Sequence, residues 1–425
     1  MKKNFGDNDI LLKRLLVTLG VLLVTRLGTF LPIPGINQEY LFFYIQNHSV
    51  TRSLVTAFSG DTTFVLGLFD LNIFPFINAS ILMQVLFNIV PKLEILQKEG
   101  SMESKRKINR ITRILTLACA IIQSVSIASS LKRVLFDWNL FLAIEIIIWL
   151  TTGGMIVLWL SELITVYGLG NGASLLVYTN IISTLPILIK RLLLESDQSV
   201  SFVSWLIISF LLFITIYGIV MLQEAARIIP LISSKQLGQA STTFSLFLGN
   251  DYSDNYIPLR FNQAGVMPII LTTSVLVAPN SIGQLGILSS PIFKPPAVLI
   301  QSSIALYWLS YFILVILFSS FYSTIVVNPK DISDELQKMA VAVPGIRPGV
   351  ETRFYLEQVM RRITSLGAIM LAIVVTVPNI IEVMLPIPNL NGLGSTSLVI
   401  SVGVILELSR EIRSILLSNI YTSVF

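Results

Sequence analysis

Few side chains in this sequence could take part in covalent catalysis. The chain has one cysteine, Cys119, and one histidine, His48. A lone cysteine excludes an intramolecular disulfide and a cysteine metal site, and a lone histidine excludes the His-Glu-x-x-His metalloprotease pattern. The Gly-x-Ser-x-Gly nucleophile motif and the Gly-Lys step of a phosphate-binding loop are also missing. We therefore predict no catalytic residue, no metal and no cofactor, and a protein that is not an enzyme.

Two aliphatic pairs have a spacing that suits a non-covalent task. Ile73 and Ile77 flank one proline, and Val266 and Ile270 flank another. Residues four apart lie on one helical face, so each pair presents two branched side chains together. The pairs fall at matching places in the two parts of the chain, and interrupted spans in corresponding halves of a membrane protein indicate a central pathway. The alternative is a tolerated proline kink in each of two ordinary membrane helices.

The elements that must position these pairs are membrane spans. The chain of 425 residues is 54% hydrophobic and 12% charged, with a mean hydropathy of +0.79, so it cannot present a normal charged surface to water. Crossing about 30 Å of hydrocarbon takes roughly 20 residues of helix. We predict ten spans, two of them short, near residues 15–31, 74–90, 114–131, 140–160, 173–189, 202–222, 266–278, 297–326, 363–385 and 398–408.

The positions of the basic residues predict the orientation of these spans. Lysine and arginine accumulate on the cytoplasmic side of membrane proteins, and most of the 29 in this chain fall on one side if both termini are inside. The net charge of +5 is then explained by topology, and we predict no nucleic acid as a primary ligand. Two inner segments are long, at about 223–262 and 328–362.

Three further features stand out against this topology. Paired Pro-Gly steps around Arg347 predict tight turns that hold this arginine away from the membrane. The apolar stretch 53–58 in the first outer loop is too short to span and is either re-entrant or interfacial. Arg26 and Glu145 lie inside predicted spans, where charge is costly. We expect both to face protein; the alternative for Arg26 is that it extends to the outer interface.

Several short motifs, in order along the chain, resemble the signatures of one family, SecY, the channel subunit of the general protein translocase. They are FLPIPG at 30–35, NAS at 78–80, GLGNG at 168–172, AGVMP at 264–268, NP at 328–329 and VPGIRPG at 343–349. The resemblance covers essentially the whole chain. It implies an all-α membrane protein with ten transmembrane helices in two inverted five-helix halves around a central pore. The first half is 1–190, with a plug segment at about 53–66, and the second is 191–425.

The resemblance also implies roles for individual residues. A pore ring of mostly branched aliphatic side chains, in which Ala173 is smaller than the usual occupant, comprises Ile73, Ile77, Ala173, Val177, Val266, Ile270 and Ile400. Polar candidates for contacts across a lateral gate are Asn78, Gln123 and Thr272. Residues implied to contact a motor or the ribosome are Arg347, Arg227 and Lys235.

The implied function is a protein-conducting channel driven by the SecA motor ATPase or by the ribosome. It would move unfolded precursor proteins with signal peptides across the membrane and release hydrophobic segments laterally into membrane lipid. Partner subunits would be SecE, with SecG as a further candidate. The resemblance to plastid and cyanobacterial members implies a plastid thylakoid membrane, with a bacterial plasma membrane as the alternative. The rival function, which paired broken helices also fit, is a secondary transporter of small solutes.

Overall fold

The structure is a computed structural model that describes residues 5–34, 67–99, 101–131, 139–195, 202–233, 256–263, 265–284, 304–384 and 395–424. Most of these residues are helical, and each of the ten predicted spans overlaps a helix. The predicted plug segment at 53–66 lies outside the described residues.

The helices and four short strands follow one another in this order. The helices are α1 (Phe5–Thr29), α2 (Phe74–Ile89), α3 (Pro91–Glu99), α4 (Met102–Leu131), α5 (Leu140–Tyr167), α6 (Gly172–Glu195), α7 (Phe202–Glu224), α8 (Met267–Gln284), α9 (Ile304–Val326), α10 (Pro329–Lys338), α11 (Val350–Met384) and α12 (Ser395–Val424). The strands are β1 (Ala226–Pro230), β2 (Ile232–Ser233), β3 (Tyr256–Arg260) and β4 (Val341–Ala342).

Helix length and apolar composition identify membrane-spanning candidates among the described residues. Three stretches, Met102–Ser129, Leu140–Tyr167 and Val350–Val377, are long and apolar enough to cross a membrane. Shorter apolar stretches lie in α2, α6, α7 and α9, at Phe74–Phe87, Gly172–Ser183, Phe213–Glu224 and Trp308–Ser323. The described part of the chain is therefore a mostly helical, membrane-type protein.

The chain divides into two compact units. The first comprises Met1–Val200, Ser274–Leu299 and Ile387–Phe425, and the second comprises Ser201–Thr273 and Ile300–Pro386. Helix α8 has its first residues in the second unit and its remainder in the first. The division into halves at residue 190 stays a prediction.

Helix α5 is the centre of the first unit. Helices α1, α4 and α6 pack against it, and Ile146, Leu150 and Val157 are buried along its length. Two adjacent glycines interrupt this apolar surface. A Cβ at Gly153 would overlap the main-chain carbonyl of Leu68, so only glycine lets the segment before α2 lie directly on α5.

Helix α11 is the centre of the second unit, where α7, α9 and α10 pack against it. A Cβ at Gly367 would overlap the main-chain carbonyl of Phe261. The side chain of Ser323 on α9 donates to Gln263 Oε1 at 3.1 Å and lies 2.9 Å from Thr364 Oγ1 on α11. Since the serine hydroxyl has one proton, Thr364 is the donor in the second bond.

The short strands lie in the second unit, within the two long segments predicted to be on the inner side. Strand β1 pairs antiparallel with β3, and β2 pairs antiparallel with β4. Their apolar residues join those of α10 and α11 in one buried cluster, here called the inner cluster: Ile229, Leu231, Leu259, Leu336, Val343, Leu356, Val359, Met360 and Ile363. This cluster ties both long inner segments to the end of α11.

We expect Gly153→Ala to destabilise the first unit. The added methyl group has no room against the Leu68 carbonyl, and overpacking of this kind costs about 1–3 kcal/mol. Thermal unfolding of the purified protein in lipid nanodiscs would measure the loss. Gly20→Ala in α1 is the matched control, because nothing lies within 4 Å of its Cβ position. A loss of stability no larger than that of the control would contradict the close approach.

Candidate functional site

Helices α2 and α8 begin in the same way. Asn72 has φ +49° and Gly265 has φ +63°, so each helix is preceded by a residue in the left-handed region, which Asn and Gly tolerate best. In each case the next residue is an aliphatic member of the predicted ring, and a proline follows as the second residue of the helix, Pro75 in α2 and Pro268 in α8. The two segments thus share one local backbone design.

The alternative, a proline kink within each of two ordinary membrane helices, is wrong. Pro75 and Pro268 lie in the first turn of a helix, where an N–H group has no intrahelical partner in any case. Proline therefore costs nothing there, and its fixed φ favours the start of the helix. The interruption lies before the proline, at the left-handed residue.

The aliphatic pairs are held by this helix start. The N–H of Ile77 donates to the carbonyl of Ile73 at 3.1 Å, and the N–H of Ile270 donates to that of Val266 at 3.3 Å. Each pair is therefore one helical turn apart, as the spacing predicted. Ile73 and Ile77 are 1% and 3% exposed, and Val266 and Ile270 are half-buried.

The other predicted ring residues lie in the first unit. Ala173 and Val177 are buried near the start of α6, which is capped where Asn171 Oδ1 accepts the N–H of Ala173 at 3.1 Å. Ile400 is half-buried on α12, and α12 packs against α6. The structure therefore places these three residues on neighbouring helices. Their role in a ring stays a prediction.

The predicted gate residues differ in their surroundings. Thr272 is fully buried, and its hydroxyl donates to the carbonyl of Pro268 within α8 at 2.8 Å. Gln123 on α4 has a buried Oε1 with no hydrogen-bond partner among the described residues. Asn78 is half-buried on α2, which packs against α4. Their assignment to a lateral gate stays a prediction.

The segment 343–349 forms a turn, here called the tip, within the long segment 328–362 of the second unit. Its two glycines have positive φ, +77° at Gly345 and +102° at Gly349. The hydroxyl of Thr352, which is buried, donates to the main-chain carbonyl of Arg347 at 2.8 Å. That of Ser333 on α10 donates to the carbonyl of Gly349 at 2.8 Å. The tip is thus fastened to α10 and α11.

The side chains of the tip point in two directions. Val343 is part of the inner cluster, and Ile346 packs against it, whereas Arg347 is exposed. The arrangement offers one cation on a fixed backbone, as the Pro-Gly pattern predicted. Arg227 is also exposed, on β1, and Lys235 lies outside the described residues.

Arg26 and Glu145, both of which lie in predicted spans, each have an aromatic neighbour. The Arg26 guanidinium lies over the ring of Phe30, 5.3 Å from its centroid, and Arg26 also lines a small cavity of the first unit. Glu145 Oε1 lies 3.5 Å from Trp149 Nε1 in the next turn of α5. Arg26 therefore faces protein, as predicted. No group of metal-binding side chains occurs among the described residues.

Sequence reasoning missed two positions that hold the site together. Asn72 and Gly265 each stand three residues before a proline, and this shared spacing of a left-handed-tolerant residue and a proline could have indicated a helix start. The anchoring of Arg347 by Thr352 had no comparable signal, because a threonine in the first turn of a helix has many ordinary uses.

Comparison with known proteins places this geometry in a family. The SecY family model matches residues 67–409. A protein translocase subunit SecY from Trieres chinensis is 61% identical over the whole of both chains. Those of Porphyra purpurea and Synechocystis sp. are 39% and 38% identical, covering 96% of this chain and 97% and 92% of their own.

Solved structures show the same fold. One is a SecY protein whose plug domain stabilises the closed state of the translocation channel, with a TM-score of 0.70, 16% identity, and coverage of 96% of this chain and 93% of that chain. Another is Sec61 in a canine ribosome-channel complex, with a TM-score of 0.66, 15% identity and the same coverage. The predicted resemblance is confirmed: this chain belongs to the SecY family and has the SecY/Sec61 channel fold.

Proposed function

We propose that this protein is the protein-conducting channel of a Sec translocase. The observation that carries the proposal is the 61% identity, over the full length of both chains, to a protein translocase subunit. The channel passes unfolded precursor proteins with signal peptides across the membrane and releases their hydrophobic segments into lipid. The family is one of translocation channels and not of enzymes.

The architecture that we propose has ten transmembrane helices in two inverted halves around a pore. The shared start of α2 and α8 supports it, because a local design repeated in corresponding spans is typical of internal repeats. The pore ring comprises the seven residues named from the sequence. Branched aliphatic side chains in such a ring exclude water and ions, and they bear no polar group that would hold a passing chain.

A transporter of small solutes is the less favoured alternative. Ion-coupled transporters carry ionisable groups near the middle of the membrane. The predicted spans of this sequence contain only four charged residues, Arg26, Glu145, Glu382 and Glu407, and the last two lie within three residues of the end of their span. Arg26 stacks on Phe30 in the last turn of α1. The relatives at 38% to 61% identity are translocase subunits.

The energy for transport comes from a partner, since no phosphate-binding loop is present. The partners that we propose are the SecA motor ATPase or the ribosome on the inner side, with SecE and SecG as membrane subunits. The ribosome-channel complex among the related structures supports the ribosome. Arg347 is the central contact, because its backbone is fixed and its side chain is exposed. Arg227 and Lys235 lie in the other long inner segment.

We propose the plastid thylakoid membrane as the site of action. The algal relative at 61% identity and the cyanobacterial relative at 38% support this lineage. A bacterial plasma membrane is the alternative.

A cysteine crosslinking experiment tests the pore ring. In a Cys119→Ser background, we expect Ile77→Cys and Ile270→Cys each to crosslink to a precursor chain stalled in the membrane. Ile144→Cys is the matched control, because this residue is exposed on the surface of α5 and is not expected to contact the precursor. Absence of crosslinks at both ring positions in assembled protein would remove these residues from the pore.

Charge reversal tests the inner tip. Arg347→Glu should lower precursor transport driven by the motor roughly tenfold, which corresponds to a lost contact of about 1.4 kcal/mol. Assembly of the complex should not change, because the Thr352 bond uses only the main chain of Arg347. Arg353→Glu is the control, since Arg353 is an exposed arginine of α11 outside the tip. Equal transport by both variants would exclude a special role for Arg347.

A further inference from the structure

A small cavity lies inside the first unit, next to the start of α2. Its wall is formed by side chains from α1, from the segment before α2, from α5 and from α6. The cavity has space for roughly one water molecule. Asn72, which precedes the ring residue Ile73, lines it, and so does Asn180, three residues after Val177 on α6.

Asn72 has an unused donor at this cavity. Its Oδ1 accepts the N–H of Ile73 at 2.9 Å, whereas its Nδ2 has no hydrogen-bond partner among the described residues. The side chain is more than nine-tenths buried. An amide donor that faces a small cavity is commonly satisfied by a bound water.

The rest of the wall decides which ligand fits. Thr25, Thr29 and Thr179 line the cavity, and each has given its single hydroxyl proton to a main-chain carbonyl of its own helix, at 2.7 to 2.9 Å. Their oxygens can therefore only accept. Arg26 and the amide of Asn72 can only donate. A water molecule can bond to both kinds of group, since it donates two protons and accepts two hydrogen bonds, and it matches the size of the cavity.

We propose that this cavity binds one water molecule, which connects Asn72 to α6 and so positions Ile73 beside Ala173 and Val177. The hydrogen bond from Ile73 N–H to Asn72 Oδ1 fixes the residue at the head of α2, and the water fixes Asn72 in turn. Asn72 and Asn180 are thus positioning residues for the pore ring. This role rests on the proposed function, whereas the water site itself does not.

Radiolytic footprinting of the assembled complex in lipid nanodiscs tests the water site. Hydroxyl radicals formed from a bound water label the side chains beside it, so Phe69 and Leu176, which line the cavity and are 7% and 2% exposed, should be modified. Leu160 and Leu158 on α5 are buried to nearly the same extent, at 6% and 3% exposed, do not line the cavity, and should stay unmodified. Modification of Phe69 and Leu176 no greater than that of these two would overturn the site.

Filling the cavity tests the positioning role. Asn180→Leu should abolish the labelling of Leu176 and raise the resting ion conductance of the channel in planar bilayers several-fold. Ser183→Leu, one turn further along α6 and outside the cavity wall, is the control and should change neither. Loss of labelling with unchanged conductance would overturn the positioning role.

A second variant keeps the test independent of the stability of α6. Asn72→Gly retains the left-handed backbone and removes the amide, and the same rise in conductance is expected. An unchanged conductance would overturn the positioning role of Asn72. Failure of the proposed function would be seen separately, as absent crosslinks at Ile77 and Ile270 while Phe69 and Leu176 are still labelled.

Discussion

A helix that begins inside a membrane protein has N–H groups in its first turn that neither lipid nor its own backbone can satisfy. The start shared by α2 and α8 meets this constraint. A left-handed residue ends the incoming segment, the carbonyl of the next residue accepts the first intrahelical bonds, and a proline removes one orphan donor. In each helix an asparagine side chain also secures this start, Asn72 through the N–H of Ile73 and Asn262 through the carbonyl of Gly265.

The proposed pore depends on these two helix starts. The first aliphatic residue of each pair is the one whose carbonyl accepts the opening bond, and the second is the residue that donates to it. Each pair therefore forms the first turn of its helix, next to the left-handed residue and the proline. In the first unit, Gly153 lets the segment before α2 lie on α5. The position of Ile73 therefore depends on the packing of the segment before it as well as on the helix after it.

The tip at 343–349 is also held in place by buried and hydrogen-bonded residues. The contact proposed for Arg347 requires an exposed side chain, yet a mobile loop would lose entropy on binding. Burial of Val343 in the inner cluster and the hydroxyl bonds from Thr352 and Ser333 remove that cost in advance. Within this turn, the buried Val343 thus anchors the backbone, and the exposed Arg347 is available for the proposed contact.

Much of this could be predicted without a structure. Hydropathy indicated the membrane class and predicted ten spans, each of which overlaps a helix among the described residues, because a span must be apolar along its own length. The spacing of Ile73 and Ile77 predicted a shared face, because helical periodicity is local, and the order of short motifs identified the family. The Pro-Gly steps predicted the exposed tip for the same reason.

Other features were decided by contacts between distant parts of the chain. The sequence left a proline kink open as an alternative for each span, because it does not show at which residue a helix starts. The approach of Leu68 to Gly153 and the cavity shared by Asn72 and Asn180 join residues some 80 to 110 positions apart. Composition and periodicity are properties of a segment alone, so the sequence determined the helices and their aliphatic faces. The residues at which those helices begin, and the contacts that hold the helix starts in place, depended on steric fit and hydrogen bonding that exist only in the folded chain.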